Sequence, residues 1–159
     1  MHSVPDPRAV EESDEMATTV IVGIDGSDPS KRAVDYAVSL AQVQKVDLVV
    51  VHVIPWSPYS FNTPSENESR GEQKKAEIKA ATSQIIEPAV AAASSSPCKV
   101  TPLVRHGDPV DTLVELARDF DATAIIVGRT GDSRVKRALF GSIPGHLVHE
   151  STIPVTVVP

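Results

Sequence analysis

Three short apolar runs constrain the fold of this chain most strongly, because each is rich in β-branched residues and almost free of polar interruptions. They occupy residues 20–24, 48–54 and 124–127. Near-continuous apolar strands are typical of parallel sheets that are covered on both faces, whereas half-exposed strands alternate apolar and polar residues. The three runs therefore predict the central strands of a parallel sheet.

Two further runs, at residues 100–104 and 154–158, alternate more and suit positions near a sheet edge. Pro102 lies within the first of them. Because proline cannot donate a hydrogen bond to a central ladder, this strand is expected at the edge.

Helical patterns separate the five runs. Asp28–Pro29 and Asp108–Pro109 each predict an N-cap followed by a proline in the first turn. A third helix is predicted over residues 71–87, where Pro88 should end or kink it. A last helix should begin near Ser142.

The segment 55–70 is polar and contains prolines, so it is interpreted as a long loop. Elsewhere strands and helices alternate, and such alternation is typical of a parallel sheet joined by right-handed crossovers. The predicted fold is a doubly wound α/β domain with helices on both faces.

Composition limits the classes of protein that remain. The chain has 159 residues and a net charge of −6, and residues 1–17 supply −4 of that charge through five acids and one base. We expect a disordered acidic tail over 1–17 and one domain over 18–159. The acidity argues against general nucleic-acid binding, and no apolar run is long enough for a membrane span. With a single cysteine and no basic-then-apolar leader, a cytoplasmic protein is the expectation.

An aspartate, Asp25, follows the first predicted strand directly. In doubly wound sheets, ligands bind beyond the carboxyl ends of the strands, where the strand order reverses. Asp25 comes directly after the first apolar run, and its carboxylate could accept hydrogen bonds from a ribose or hold Mg²⁺. The alternative is a simple turn, because Asp25–Gly26 is a common turn dipeptide, and the dipeptide alone favours that interpretation.

The fourth strand is followed by Gly128 and Gly131, and Gly141 and Ser142 come at the start of the last helix. Glycines permit close backbone approach to a ligand, and a helix N-terminus attracts anions. The region also holds four bases within nine positions: Arg129, Arg134, Lys136 and Arg137. A polyphosphate would fit this pattern, although the bases could instead pair with surface carboxylates.

The spacing Gly128-x2-Gly131-x9-Gly141-Ser142 resembles the G-x2-G-x9-G-[S/T] signature of ATP-binding universal stress proteins. The likeness covers residues 18–159 and includes the opening segment 22–27 and the closing segment 154–158. Two departures stand out. Gly23 occupies a position where the best-known ATP binders have proline, and Arg129 replaces a small residue.

The resemblance implies an adenine nucleotide alpha-hydrolase-like fold with strand order 3-2-1-4-5, ATP as ligand with Mg²⁺ held partly by Asp25, and a homodimer formed through the fifth strand, Val155–Val158. The residues that the resemblance implies as contacts of the nucleotide are Gly23, Asp25, Val53, Val127, Gly128, Gly131, Gly141, Ser142 and Ile143.

Three functional hypotheses follow. The first is a non-catalytic module of the stress response whose conformation or dimerisation depends on ATP. The second is a slow ATPase or phosphotransferase that uses Asp25, Mg²⁺ and the basic loop. The third, which the intact motif disfavours, is an interaction protein that has lost nucleotide affinity. No catalytic apparatus is recognisable, because Ser142 has no identifiable base and the G-x-S-x-G elbow is absent.

The remaining reactive residues are interpreted as structural. His52 lies in a buried run and is expected to be a hydrogen-bonded core histidine. His146 and His149 lack a convincing third ligand, which disfavours zinc. Cys98 is interpreted as a bystander thiol.

Overall fold

The computed structural model describes residues 17–55, 64–129 and 143–159. Its strands are β1 (Thr19–Gly23), β2 (Asp47–Pro55), β3 (Val100–Gly107), β4 (Ala124–Gly128) and β5 (Val155–Val158). They form one parallel sheet in the order β3-β2-β1-β4-β5. The predicted doubly wound fold and its strand order are confirmed.

The helices cover both faces of the sheet. They are α1 (Asp28–Gln44), α2 (Pro64–Ala81), α3 (Glu87–Ala92), α4 (Pro109–Asp119) and α5 (Ile143–Glu150). A π-helical turn, Thr82–Ile86, joins α2 to α3, and a 3₁₀ turn follows at Ala93–Ser95.

Successive side chains of β1 point to opposite faces of the sheet and so belong to two separate core clusters. Val20 and Val22 face a cluster that includes the buried side of α1, whereas Ile21 faces a second cluster built on α4 and Leu147 of α5. All three β1 side chains are at most 1% exposed. The central strands are therefore buried on both faces, as their unbroken apolar sequences predict.

The edge position predicted for β3 is confirmed, since β3 pairs only with β2 among the described strands. The loop predicted over 55–70 is wrong for its second half, because α2 begins at Pro64. Proline suits a first helical turn, and Glu66 lies in that turn. The polar composition that suggested a loop belongs instead to a solvated helix. Residues 56–63 lie outside the described part.

Pro88 does not end the helical segment. The chain widens into the π turn immediately before it and continues as α3, with Pro88 in the first turn of that helix. A proline ring clashes with the carbonyl four residues earlier in a regular α-helix. The wider π turn relieves this clash while the segment remains helical.

The N-cap predicted at Asp28 is wrong by one residue. Ser27 caps α1, its Oγ accepting from the main-chain N–H of Ser30 at 3.3 Å, and Asp28 lies within the first turn. The cap predicted at Asp108 is confirmed, with Oδ1 accepting from the N–H of Asp111 at 2.9 Å.

Candidate functional site

The candidate site lies where the strand order reverses, at the carboxyl ends of β1 and β4. These strands are neighbours, and Gly23 is in register with Val127. The residues that follow them therefore emerge side by side at one edge of the sheet, the position at which doubly wound folds bind ligands.

The turn after β1 holds Asp25 by three hydrogen bonds. Its Oδ1 accepts from the main-chain N–H of Ser27 at 3.0 Å and from the Ser27 hydroxyl at 2.5 Å. Its own N–H donates to Oγ of Ser30 at 3.0 Å. The backbone at Asp25–Gly26 therefore forms the turn that this dipeptide suggested. The same hydrogen bonds hold the exposed carboxylate of Asp25 beside the first turn of α1.

Gly26 completes this turn with a φ of +81°, in the left-handed region that glycine tolerates. A Cβ built on Gly26 would lie 3.4 Å from Cγ1 of Ile85, in the π turn. The π turn therefore packs directly over the turn that carries Asp25.

His52 of β2 supports the same turn from below. Its Nδ1 lies 2.8 Å from the carbonyl oxygen of Ile24, and the ring is half-buried. A carbonyl oxygen only accepts, so Nδ1 carries the proton in this contact. The expected hydrogen bond is confirmed, whereas the ring is half-buried instead of lying in the core.

Gly23 faces α4 at close quarters. A Cβ at this position would lie 3.0 Å from Cδ1 of Leu113 and 3.1 Å from Cγ1 of Val127. Leu113 thus fills the space that a larger residue would need, which explains how the chain accommodates glycine where the resemblance leads one to expect proline. Val127 and the predicted contact Val53 are also buried, in the cluster around α4.

Gly128 has a packing constraint that no sequence pattern indicated. A Cβ there would lie 2.7 Å from the carbonyl carbon of Pro29 and 2.9 Å from its oxygen. The absent side chain lets the first turn of α1 pack against the end of β4. Gly128 therefore has a packing role, and its contact with a nucleotide stays a prediction.

The remaining predicted contacts divide into two groups. Ile143 is the first residue of α5, and its side chain is exposed. Gly131, Gly141 and Ser142 lie outside the described residues, as do Arg134, Lys136 and Arg137 of the basic loop.

Arg129 and Arg32 connect the site to the end of β5. The N–H of Arg129 donates to the carbonyl of Val158 at 2.6 Å, and Nε of Arg32 donates to the carbonyl of Pro159 at 2.7 Å. Both arginines are exposed. Ser27, Ser30 and Arg32 were not predicted as parts of this region, although the Ser-x-x-Ser spacing after Asp25 indicated the capping network.

One contact between polar side chains lies at the same edge of the sheet on β3. Nε2 of His106 is 2.9 Å from Oε2 of Glu77, which joins the end of β3 to α2. Within the described ranges, no group of three or more His, Cys, Asp or Glu side chains could hold a metal ion. His146 and His149 are exposed on α5, and Cys98 is a half-buried free thiol.

The family of this chain follows from its similarity to known proteins. The model of the universal stress protein family matches residues 16–159. The chain belongs to the universal stress protein family.

Two relatives illustrate the range of lengths in that family. Universal stress protein Rv1996 of Mycobacterium tuberculosis is 31% identical over 153 residues, which cover 88% of this chain and 47% of the relative. Universal stress protein YxiE of Bacillus subtilis is 30% identical over 156 residues, covering 90% of this chain and 99% of the relative. The chain thus spans about half of the mycobacterial protein and nearly all of the Bacillus one.

Solved structures agree with the fold. UspA from Lactobacillus plantarum has a TM-score of 0.73 and 25% identity, and the match covers 89% of this chain and 97% of that one. A universal stress protein in complex with cAMP has a TM-score of 0.65 and 29% identity, covering 89% and 96% of the two chains. Among the described helices of our protein, none is long and apolar enough to cross a membrane.

Proposed function

We propose that this protein binds ATP at the carboxyl ends of β1 and β4 and acts as a nucleotide-responsive module of the stress response without catalytic turnover. One observation carries the proposal. β1 and β4 are adjacent at the reversal of strand order, and an anchored, exposed carboxylate follows β1. The solved relative in complex with cAMP supports adenine nucleotides as the ligand class.

Each part of the proposed site has a defined task. Asp25 accepts hydrogen bonds from the nucleoside, Val53 and Gly23 flank the adenine, and the backbone from Val127 to Gly131 lies along the ribose and phosphates. Gly141, Ser142 and Ile143 then hold the phosphates at the start of α5, where unpaired N–H groups favour an anion.

Magnesium fits this donor set only together with the nucleotide. The described residues include no cluster of three protein ligands, and Asp25 supplies one exposed carboxylate. Mg²⁺ is commonly bound through one or two carboxylates plus substrate phosphates. Asp25 would therefore hold the ion jointly with the phosphates, and the ion would neutralise part of their charge.

Regulation requires that ATP bind two states of the protein with different affinity. We propose a homodimer paired through β5 as the state that responds. All four residues of Val155–Val158 are half-buried in the single chain, and β5 pairs only with β4 among the described strands. Sedimentation velocity with and without ATP tests this point, and an ATP-independent monomer would contradict it.

Isothermal titration of the full chain with ATP, AMP and cAMP tests nucleotide binding. Asp25→Asn should weaken ATP binding roughly 10- to 100-fold, the effect of losing a hydrogen bond to a charged group. Asp35→Asn, an equal charge change at an exposed position of α1, should leave affinity unchanged. If no heat of ATP binding is detected at millimolar nucleotide, the proposal is refuted.

The alternative of a slow ATPase is tested on the same proteins. The rate of ADP release from labelled ATP should be the same for the wild type and Asp25→Asn when both are saturated with nucleotide. ATP hydrolysis that depends on Asp25 would refute the non-catalytic proposal and support the slow ATPase.

A further inference from the structure

The outer edge of β5 carries neither charge nor proline. β5 pairs only with β4 among the described strands, which leaves the other edge of Val155–Val158 open. Natural sheet edges are commonly blocked by charged side chains or by proline. β3, at the opposite edge, holds Pro102 and Arg105, whereas β5 holds three valines and one threonine. The β5 edge is therefore a template for the addition of another strand.

Helix α1 runs beside this edge on one face of the sheet. Nε of Arg32 donates to the carbonyl of Pro159 at 2.7 Å, just beyond the end of β5. Tyr36 follows Arg32 by four positions and therefore lies on the same side of α1. Tyr36 is 43% exposed, and among the described residues its side chain has no hydrogen-bond or ring partner. This α1 flank, Arg32 and Tyr36, thus presents a cation and an aromatic ring to solvent beside β5.

The position of the α1 flank along β5 follows from the contact of Pro29 with Gly128. A Cβ on Gly128 would lie 2.7 Å from the carbonyl carbon of Pro29, and Gly128 is in register with Val158. α1 runs antiparallel to the strands, as a crossover between two parallel strands requires. From Pro29 to Tyr36 it advances about 10 Å, the distance from Val158 back to the first residue of β5. Tyr36 therefore lies level with the start of β5, whereas the Arg32 side chain reaches the end of β5.

We propose that a second copy of this chain pairs antiparallel with β5, and that the α1 flank forms a second layer of that contact. Antiparallel pairing of Val155–Val158 with itself places the start of one β5 beside the end of the other. Tyr36 of each copy then comes level with the Arg32 guanidinium of the other copy. A guanidinium over a tyrosine ring is a favourable cation–π pair, and two-fold symmetry forms this pair twice. The inference rests on the homodimer of the proposed function.

The spacing of the two α1 helices suits long side chains. α1 contacts both β4 and β5. A two-fold axis perpendicular to the sheet keeps both α1 helices on the same face. With each α1 above β4, their axes are three strand spacings apart, about 14 Å. Helices in direct contact are about 8–10 Å apart, so the gap between the two α1 helices needs side chains as long as arginine and tyrosine.

Strand pairing alone buries too little surface for a stable dimer. Four paired residues span about 13 Å, whereas a stable interface buries about 800 Å² of each partner. A buried aromatic side chain contributes about 150–250 Å². The Tyr36 ring and the aliphatic part of Arg32 therefore enlarge the contact on the face that α1 covers, and a second copy gains from both layers at once.

Sedimentation equilibrium of the full chain tests the proposal. Tyr36→Ser should raise the dissociation constant of the dimer roughly 10- to 100-fold, the loss typical of an interface hot spot. Ile78→Ser is the matched control, because Ile78 is 38% exposed but lies on α2 against β3, at the opposite edge of the sheet. The control should dimerise like the wild type, and circular dichroism verifies that both variants fold. An unchanged dissociation constant in Tyr36→Ser would overturn the proposal.

A mixture of two variants tests whether the pair forms between copies. A dimer of Arg32→Gln alone, or of Tyr36→Ser alone, retains no Arg32–Tyr36 pair. A mixed dimer of the two variants retains one pair, between Tyr36 of the first chain and Arg32 of the second. Native mass spectrometry should therefore show the mixed dimer in excess of the statistical ratio. A statistical mixture would overturn the proposal, since a pair within one chain gives no such excess.

The wild type separates this inference from the proposed function. A wild type that stays monomeric with and without ATP overturns both the homodimer and the role of the α1 flank. A wild type that dimerises no more tightly than Tyr36→Ser overturns the role of the α1 flank alone. Isothermal titration of the same samples measures nucleotide binding independently of either outcome.

Discussion

The imidazole of His52 donates from Nδ1 to the carbonyl oxygen of Ile24 across 2.8 Å. Ile24 directly precedes Asp25, and its N–H donates to the carbonyl of Val51 at 2.8 Å. The residue that leads into the proposed nucleotide turn is thus held by β2 through both its N–H and its carbonyl. The half-buried His52 thus positions the turn that carries Asp25.

Replacing His52 should therefore weaken both the fold and the turn. His52→Leu leaves the Ile24 carbonyl without its donor, which costs about 1–3 kcal/mol when the acceptor is buried. Urea denaturation measures the loss, and His149→Leu at an exposed position provides the comparison. Equal stability of the two variants would show that the contact is dispensable.

Gly128→Ala should destabilise the domain by about 1–3 kcal/mol, the usual effect of overpacking, because its Cβ would collide with the Pro29 backbone. Gly71 is the matched control, since nothing lies within 4 Å of a Cβ there. Gly71→Ala in α2 should instead stabilise by about 0.5–1 kcal/mol. Thermal unfolding of both variants measures the contrast, and a neutral Gly128→Ala would refute the packing role.

Ser27→Ala should cost about 1 kcal/mol through loss of the N-cap of α1. It also removes the hydroxyl that donates to Asp25, so ATP affinity should fall with stability. Ser39→Ala, whose hydroxyl donates to the Asp35 carbonyl within α1, should be neutral or slightly stabilising. Chemical denaturation and titration calorimetry on the two variants check this pair of effects. A larger loss in Ser39→Ala would count against the capping assignment.

Gly23 and Leu113 should be energetically coupled, because they compete for one space. Gly23→Ala alone overpacks the site and costs about 1–3 kcal/mol, whereas Leu113→Ala alone leaves a cavity and costs about 2–5 kcal/mol. The double variant should lose less than the sum, since the new methyl enters the vacated volume.

A double-mutant cycle in urea measures this coupling. The cycle of Gly23→Ala with Val148→Ala, an exposed site on α5, should be additive. Additivity in the Gly23 and Leu113 cycle would mean that the core relaxes independently around each residue.

The central strands could be predicted from the sequence, because strands that are buried on both faces consist almost entirely of apolar residues. The strand order came from the family resemblance, since no local pattern specifies which strands become neighbours. The cap of α1 was placed one residue late, because Ser27 and Asp28 are both good caps and only the backbone decides between them. α2 was missed over 64–70, since a solvated helix lacks the apolar stripe on which the prediction depends.

The location of the candidate site was predictable, and the nucleotide contacts of its residues stay predictions. Asp25 was singled out because a carboxylate follows a buried strand. The packing role of Gly128 depends on how closely α1 approaches β4, a distance that no sequence motif encodes. The contact between His106 and Glu77 joins residues 29 positions apart, which a pattern search along the chain does not connect.

Ile85 of the π turn lies beside Gly26, and Thr82 and Ile86 of the same turn line a groove against β3. The five residues of this turn therefore pack against both the turn that carries Asp25 and the outer edge of the sheet. A substitution that reshapes this irregular helical turn would disturb both surfaces, although the two surfaces share no residue.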